Sequence, residues 1–161
     1  MTLSIGDPIP DLSLPATGGQ TLRLADLGDL HLVLYFYPKA STPGCTLEGQ
    51  GFRDAAAAFA AAGTRILGVS RDGLKAQENF KAKQGFPFDL LSDAEEALCR
   101  ACDVIKLKKL YGRESLGIDR STFLFDRSGR LRREWRGVKV KGHVDEVLAA
   151  AQALAAEAGS S

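Results

Sequence analysis

Residues 31–37 (His-Leu-Val-Leu-Tyr-Phe-Tyr) form a nearly continuous apolar run that ends at Pro38. A strand without polar alternation has to be covered on both faces, so this run predicts the central strand of an α/β sheet. A helix start follows it directly. Thr42 can serve as N-cap with Pro43 at the first helical position, and Leu47, Phe52, the alanines at 55–58 and Phe59 carry the helix to Gly63. The alternation then repeats, with a strand over 65–70, a helix over 74–84 closed by Gly85, a short strand over 88–91 and a helix from Asp93 to Cys102. A basic, less regular stretch (Lys106, Lys108, Lys109) leads to Gly112. A strand over 121–125 turns at 126–129 into a hairpin partner over 130–136, and an alanine-rich helix covers 144–157. Upstream, prolines and Gly18-Gly19 punctuate two short apolar pieces, 12–14 and 21–24, that read as a small β-hairpin. The expected architecture is one three-layer α/β/α domain over residues 1–161, with a mixed central sheet and an N-terminal hairpin.

Composition narrows the function classes. The 161 residues are 45% apolar and 25% charged with a net charge of +1, so the balance favours neither polyanions nor membranes as partners. The basic segment with Arg127, Arg130, Arg132, Arg133, Arg136, Lys139 and Lys141 reads as charges guarding an edge strand rather than as a nucleic-acid surface. Leu131 and Trp135 are expected in the core on one strand face. No run approaches a membrane span, and the first residues lack the basic region and apolar stretch of a secretory signal, which predicts a cytoplasmic protein with reduced thiols. The three cysteines are an odd count, which leaves at least one thiol outside any intrachain bridge. His31 and His143 do not fall at zinc-ligand spacings, so no metal is expected.

Cys45 has the most distinctive setting. It lies just past the carboxyl end of the central strand, where open α/β sheets place their sites. With Thr42 as N-cap, Cys45 is the third helical residue, and the cap hydroxyl is expected to accept from its backbone N–H. A thiol there faces unpaired N–H groups and the positive end of the helix, both of which favour a thiolate. The alternative for the same position is a buried helix-start cysteine beside an ordinary cap.

The run Pro38-x-x-x-Thr42-x-x-Cys45, within Phe36-Tyr37-Pro38-Lys39 and Thr42-Pro43-Gly44-Cys45-Thr46-Leu47-Glu48, resembles the active-site signature of the peroxiredoxins, specifically the peroxiredoxin Q or bacterioferritin-comigratory-protein class. Gly6-Asp7-x-x-Pro10, Gly51-Phe52-Arg53-Asp54, Leu91-Ser92-Asp93 and Arg120-Ser121-Thr122-Phe123 resemble that class in the same order. The resemblance implies a thioredoxin-like fold, reduction of hydroperoxides without a cofactor, a thioredoxin-type or small-thiol reductant, and a monomer. It implies that Cys45 is the peroxidatic cysteine, that Thr42 orients the peroxide and that Pro38 shields the sulfur. It also implies that Arg120 stabilises the thiolate and the charge developing across the O–O bond. Glu48 matches a supporting position, although a first-turn carboxylate is also favoured simply as a helix-dipole partner.

The chain departs from that class at its resolving cysteine. The position five residues after Cys45 is Gln50, and the other familiar position, in the next helix, holds Lys81. Cys99 and Cys102 are the candidates left; they share a helix face, and each can equally be a small buried apolar residue. Resolution by one of them, with Cys99 slightly preferred, competes with resolution by an external thiol. Gly49 and Gly51 weaken the helix by roughly 1 kcal/mol each relative to alanine, which predicts fraying just beyond the nucleophile. A thioredoxin-like oxidoreductase using Cys99 and Cys102 is the alternative function, although that pair lies toward a helix end rather than at a helix start.

Overall fold

Strand β3 (His31–Phe36) is buried at every position, and its side chains divide between two cores. Leu32, Leu34 and Phe36 enter one core, and Val33 and Tyr35 enter the other, with Tyr37 just beyond the strand. This is the period-2 division expected of a strand covered on both sides. The structure, a computed structural model, describes residues 3–159. In chain order the other strands are β1 (Ser13–Ala16), β2 (Gln20–Arg23), β4 (Thr64–Ser70), β5 (Asp89–Ser92), β6 (Ile105–Leu110), β7 (Arg113–Ile118), β8 (Ser121–Phe125) and β9 (Leu131–Trp135). The helices are α1 (Pro43–Asp54), α2 (Ala56–Ala61), α3 (Leu74–Gln84), α4 (Ala97–Ala101) and α5 (His143–Gly159).

The main sheet has the order β2-β1-β5-β4-β3-β8-β9, with β3, β4 and β5 parallel and the flanking pairs antiparallel. Phe52, Phe59, Phe80 and Val147 bring α1, α2, α3 and α5 onto one face; Leu98, Cys99 and Cys102 bring α4 onto the other. The three-layer mixed α/β architecture is thus as expected, with the helices unevenly shared between its faces.

Four details differ from the sequence reading. The helix expected to run unbroken to Gly63 is interrupted at Ala55, which separates α1 from α2. The helix expected from Asp93 begins at Ala97, because Glu96 takes a left-handed backbone (φ 64°) and the Asp93 carboxylate instead accepts the N–H groups of Leu98 (3.2 Å) and Cys99 (2.7 Å). The irregular basic stretch is a second, two-stranded sheet of β6 and β7. Its facing pair Leu107 and Leu116 is exposed, so the hairpin has no buried face to impose alternation on the sequence. Finally, a bulge in β9 pairs Leu124 with Arg133 but Phe125 with Leu131. Leu131 therefore packs in one core and Trp135 against the other, not on a shared face.

Gly49 and Gly51 have a packing role. A Cβ on Gly49 would sit 2.4 Å from Phe86 Cζ, and one on Gly51 would sit 2.9 Å from Val144 Cγ2. Both contacts are closer than atoms tolerate, so these glycines let α1 lie tightly against its neighbours.

Candidate active site

Helix α1 buries Cys45, Glu48, Gly49 and Phe52, the i, i+3, i+4, i+7 stripe of one helical face. Cys45 and Glu48 thereby project together under the carboxyl end of β3. The loop between strand and helix is held from below. Ala40 N–H donates to Asp72 Oδ2 at 2.8 Å, as does Ser70 Oγ at 2.6 Å. Gln77 Nε2 donates to Ser70 Oγ and to the Leu91 carbonyl, both at 2.9 Å, while the Tyr37 hydroxyl donates to Gln77 Oε1. This buried network ties the ends of β3, β4 and β5 together and fixes where the loop can go.

Thr42 occupies the N-cap with extended backbone, but its hydroxyl donates to the Lys39 carbonyl at 2.7 Å and makes no cap bond. The expected bond from Cys45 N–H is thus replaced by a turn within the loop, in which Ser41 takes a left-handed backbone (φ 66°). The first helical bond runs from Thr46 N–H to the Thr42 carbonyl, so the N–H groups of Gly44 and Cys45 precede it at the helix mouth, where an anion is favoured. Pro38 is half-buried at the end of β3, and Cys45 is buried.

Arg120 enters from the short connection between β7 and β8. Its Nη2 donates to Cys45 Sγ at 3.4 Å and its Nη1 to Glu48 Oε1 at 2.7 Å. One guanidinium fork therefore bridges the thiol and a fully buried carboxylate. Gly44 makes room for it, since a Cβ there would lie 3.1 Å from Arg120 Nη2. Nothing local to residue 120 announces this approach; only the sheet, with Phe36 opposite Ser121, brings the two segments together.

The sequence reading gave no role in the site to His143, Thr122 or Tyr35. His143, the first residue of α5, is buried with Nε2 2.8 Å from Thr122 Oγ1 and 4.0 Å from Glu48 Oε2. Tyr35 stacks on Phe52 (4.5 Å between ring centroids) and has a buried hydroxyl without a hydrogen-bond partner among the described residues. Burial pushes Glu48 up to about 7 against the pull of Arg120, and burial together with Arg120 pushes His143 down to about 4.

These shifts act on stability with opposite signs. Glu48 binds its proton more tightly when folded, so its contribution is present below its ordinary value of 4.5 and is lost as pH rises toward about 7. His143 binds its proton less tightly when folded, so its contribution is present above 6.5 and is lost as pH falls toward about 4. Between 4.5 and 6.5 the two slopes oppose each other. Urea melts of Glu48→Gln across this range are expected to show stability rising with pH more steeply than in the unsubstituted protein; parallel curves would contradict the pairing.

Cys99 and Cys102 lie elsewhere. Both are fully buried in the core on the opposite face of the sheet from Cys45. Burial, with Asp93 adding to it, raises the Cys99 thiol far above its usual range, and burial pushes Cys102 up to about 12. Gln50 and Lys81 are engaged in other contacts: Gln50 Nε2 donates to Gln84 Oε1 at 2.9 Å, and Lys81 pairs with Asp89 at 2.7 Å. Among the described residues, no helix is long and apolar enough to cross a membrane.

Residues 5–134 match the AhpC/TSA family. The chain is 55% identical over 145 residues to peroxiredoxin Bcp of Xanthomonas campestris, covering 90% of this chain and 91% of that one. It is 51% identical over 148 residues to peroxiredoxin Bcp of Bacillus subtilis, covering 92% and 94%. Among solved structures, the Xanthomonas campestris bacterioferritin comigratory protein, studied for its alkyl peroxide reduction activity, matches with a TM-score of 0.88 at 52% identity, covering 95% of this chain and 98% of that one. A thiol at a helix mouth under an arginine fork, on a scaffold shared with these relatives over nearly its whole length, places the chain in the AhpC/TSA family as a peroxiredoxin of the Bcp or peroxiredoxin Q group, a thiol-dependent peroxidase.

Proposed function

We propose that Cys45 is the peroxidatic residue and that its sulfenic acid is reduced by an external thiol. The observation that carries the first part is the Arg120 fork, which contacts Cys45 Sγ and is held by Glu48. In this reading the Cys45 thiolate attacks the terminal oxygen of a hydroperoxide. An S–O bond forms, the O–O bond breaks, and its electron pair leaves on hydroxide or alkoxide, which takes a proton to give water or alcohol. Arg120 keeps a positive charge beside both sulfur and leaving oxygen, where it stabilises the transition state. Thr42, whose hydroxyl hydrogen is committed to Lys39, offers oxygen lone pairs to the peroxide O–H and so orients it. Pro38 limits access of water to the sulfur. Alkyl hydroperoxides, for whose reduction the Xanthomonas relative was studied, and hydrogen peroxide are the expected substrates.

The second part rests on the placement of Cys99 and Cys102. A disulfide requires Cα atoms within about 7 Å. Here the central sheet lies between the candidate partners. An external thiol instead attacks the sulfenic sulfur, releasing water and forming a mixed disulfide, and a second thiol then frees Cys45. A thioredoxin-type dithiol or a small cytoplasmic thiol supplies this, and the enzyme acts as a single-domain monomer without nucleic-acid or membrane partners. The inaccessible Cys99 and Cys102 offer no support to the alternative of a thioredoxin-like oxidoreductase.

The test is to oxidise the protein with one equivalent of peroxide, block free thiols and map the masses. Sulfenic acid at Cys45 without an intrachain disulfide is expected. The Cys99→Ala/Cys102→Ala double variant should turn over within about twofold of the unsubstituted protein when a dithiol is supplied, since neither residue touches the site. A peptide linking Cys45 to Cys99 or Cys102 would overturn the external-thiol reading.

A further inference from the structure

The buried cluster around Cys45 contains one permanent positive charge and two groups that can be negative. Arg120 contacts both Cys45 and Glu48, and it cannot neutralise a thiolate and a carboxylate together. Glu48 is fully buried, with Oε1 taken by Arg120 and Oε2 lacking a hydrogen-bond partner among the described residues. The groups facing it are Cys45 on its own helix, Arg120 ahead of β8, Tyr35 on β3 and His143 at the start of α5. None of the last three supplies a second positive charge at neutral pH. Arg120 is already shared, the buried Tyr35 phenol stays neutral, and His143 is held neutral by burial and by Arg120. Glu48 Oε2 has no donor among the described residues, and His143 Nε2, 4.0 Å away and held by Thr122 Oγ1 at 2.8 Å, offers it none; a buried oxygen that no donor reaches favours the neutral carboxyl group over the carboxylate.

We propose that Glu48, facing His143, holds a proton while Cys45 is a thiolate and gives that proton up when Cys45 becomes a sulfenic acid. The inference rests on the reading of Cys45 as the peroxidatic residue. The charges balance at both ends. In the reduced state thiolate and Arg120 cancel and Glu48 is neutral; in the oxidised state the sulfenic acid is neutral and the Glu48 carboxylate cancels Arg120. The step balances as well: the thiolate and hydroperoxide give sulfenic acid plus hydroxide or alkoxide, and the proton from Glu48 neutralises that leaving group. Glu48 is in this account a positioning and proton-holding residue, since it acts through Arg120 and does not contact the reacting sulfur. The shift of Glu48 toward neutral pH is the direction such a role needs.

The role has a readout that a purely structural carboxylate would not move. Thiolate oxidation consumes about one proton from solution per sulfenic acid unless the protein supplies it. With reduced protein, lightly buffered near pH 6.5 so that the pH lies below the Glu48 value of about 7, peroxide and a pH-indicator dye, the expected uptake is well below one proton per sulfenic acid. In Glu48→Gln, which has no proton to release, it should rise to about one. Should that variant fold poorly, the unsubstituted protein still decides. Its reduced-minus-oxidised infrared difference spectrum should show a protonated carboxyl band lost and a carboxylate band gained on oxidation. Sulfenic acid at Cys45 is counted by mass in the same samples. Absence of oxidation at Cys45 would remove the underlying assignment, whereas oxidation at Cys45 with full proton uptake and no carboxyl band would overturn the proton-holding role alone.

Discussion

Cys45→Ser is expected to remove peroxide consumption down to the uncatalysed background, a fall of at least about a thousandfold, because a serine hydroxyl is not ionised near neutral pH and is a far poorer nucleophile than a thiolate. The substitution is nearly isosteric. It leaves the Arg120–Glu48 pair and the loop network of Asp72, Ser70 and Gln77 in place. A normal melting profile with no turnover is therefore the expected combination, measured as peroxide loss with excess dithiol. Retained activity in a folded Cys45→Ser protein would sink the assignment, and no alternative thiol could explain it, since Cys99 and Cys102 are shut inside the other core.

Arg120→Met should lower the rate of Cys45 oxidation by about 10²–10³-fold, roughly 3–4 kcal/mol of transition-state stabilisation, on the scale of removing a preorganised donor. It should also destabilise the fold by about 1–3 kcal/mol, because the buried Glu48 loses the donor on Oε1 and has to bind a proton to stay neutral without Arg120. Pairing it with Glu48→Gln separates these effects: the double variant is expected to regain much of the stability and none of the rate. Arg120→Lys should fall between, since a single ammonium cannot span Cys45 Sγ and Glu48 Oε1 as the planar fork does. Stopped-flow oxidation and urea melts on the same samples decide the outcome. An unchanged rate in Arg120→Met would remove the electrostatic role, and recovery of rate in the double variant would assign the defect to stability instead.

Local signals accounted for much of the architecture. The unbroken apolar run of β3, the Thr-Pro start of α1 and the Gly85 end of α3 each fall within a residue or two of their expected places. The hairpin of β6 and β7 was not legible, because both strands are largely exposed and have no buried face to write a period into the sequence. The bulge in β9 was hidden for a related reason: one extra residue reverses which face later side chains occupy without changing composition.

The candidate site divides in the same way. Cys45 and Thr42 are three residues apart at one helix start, so their spacing could be read directly, whereas Pro38 and Glu48, equally local, took their roles from the resemblance. Arg120 reached the list only through resemblance, and His143, Thr122 and Tyr35 did not reach it at all. The sequence by itself determined the central strand, the helix it feeds and the one thiol placed at that helix mouth, because these depend on residues a few positions apart. Only the tertiary structure decided that Arg120 bridges Cys45 to a buried Glu48, that His143 faces this carboxylate, and that Cys99 and Cys102 lie beyond the sheet. Those relations are set by strand pairing and by which face of β3 each helix covers, and packing between segments far apart in the chain leaves no periodic trace in either one.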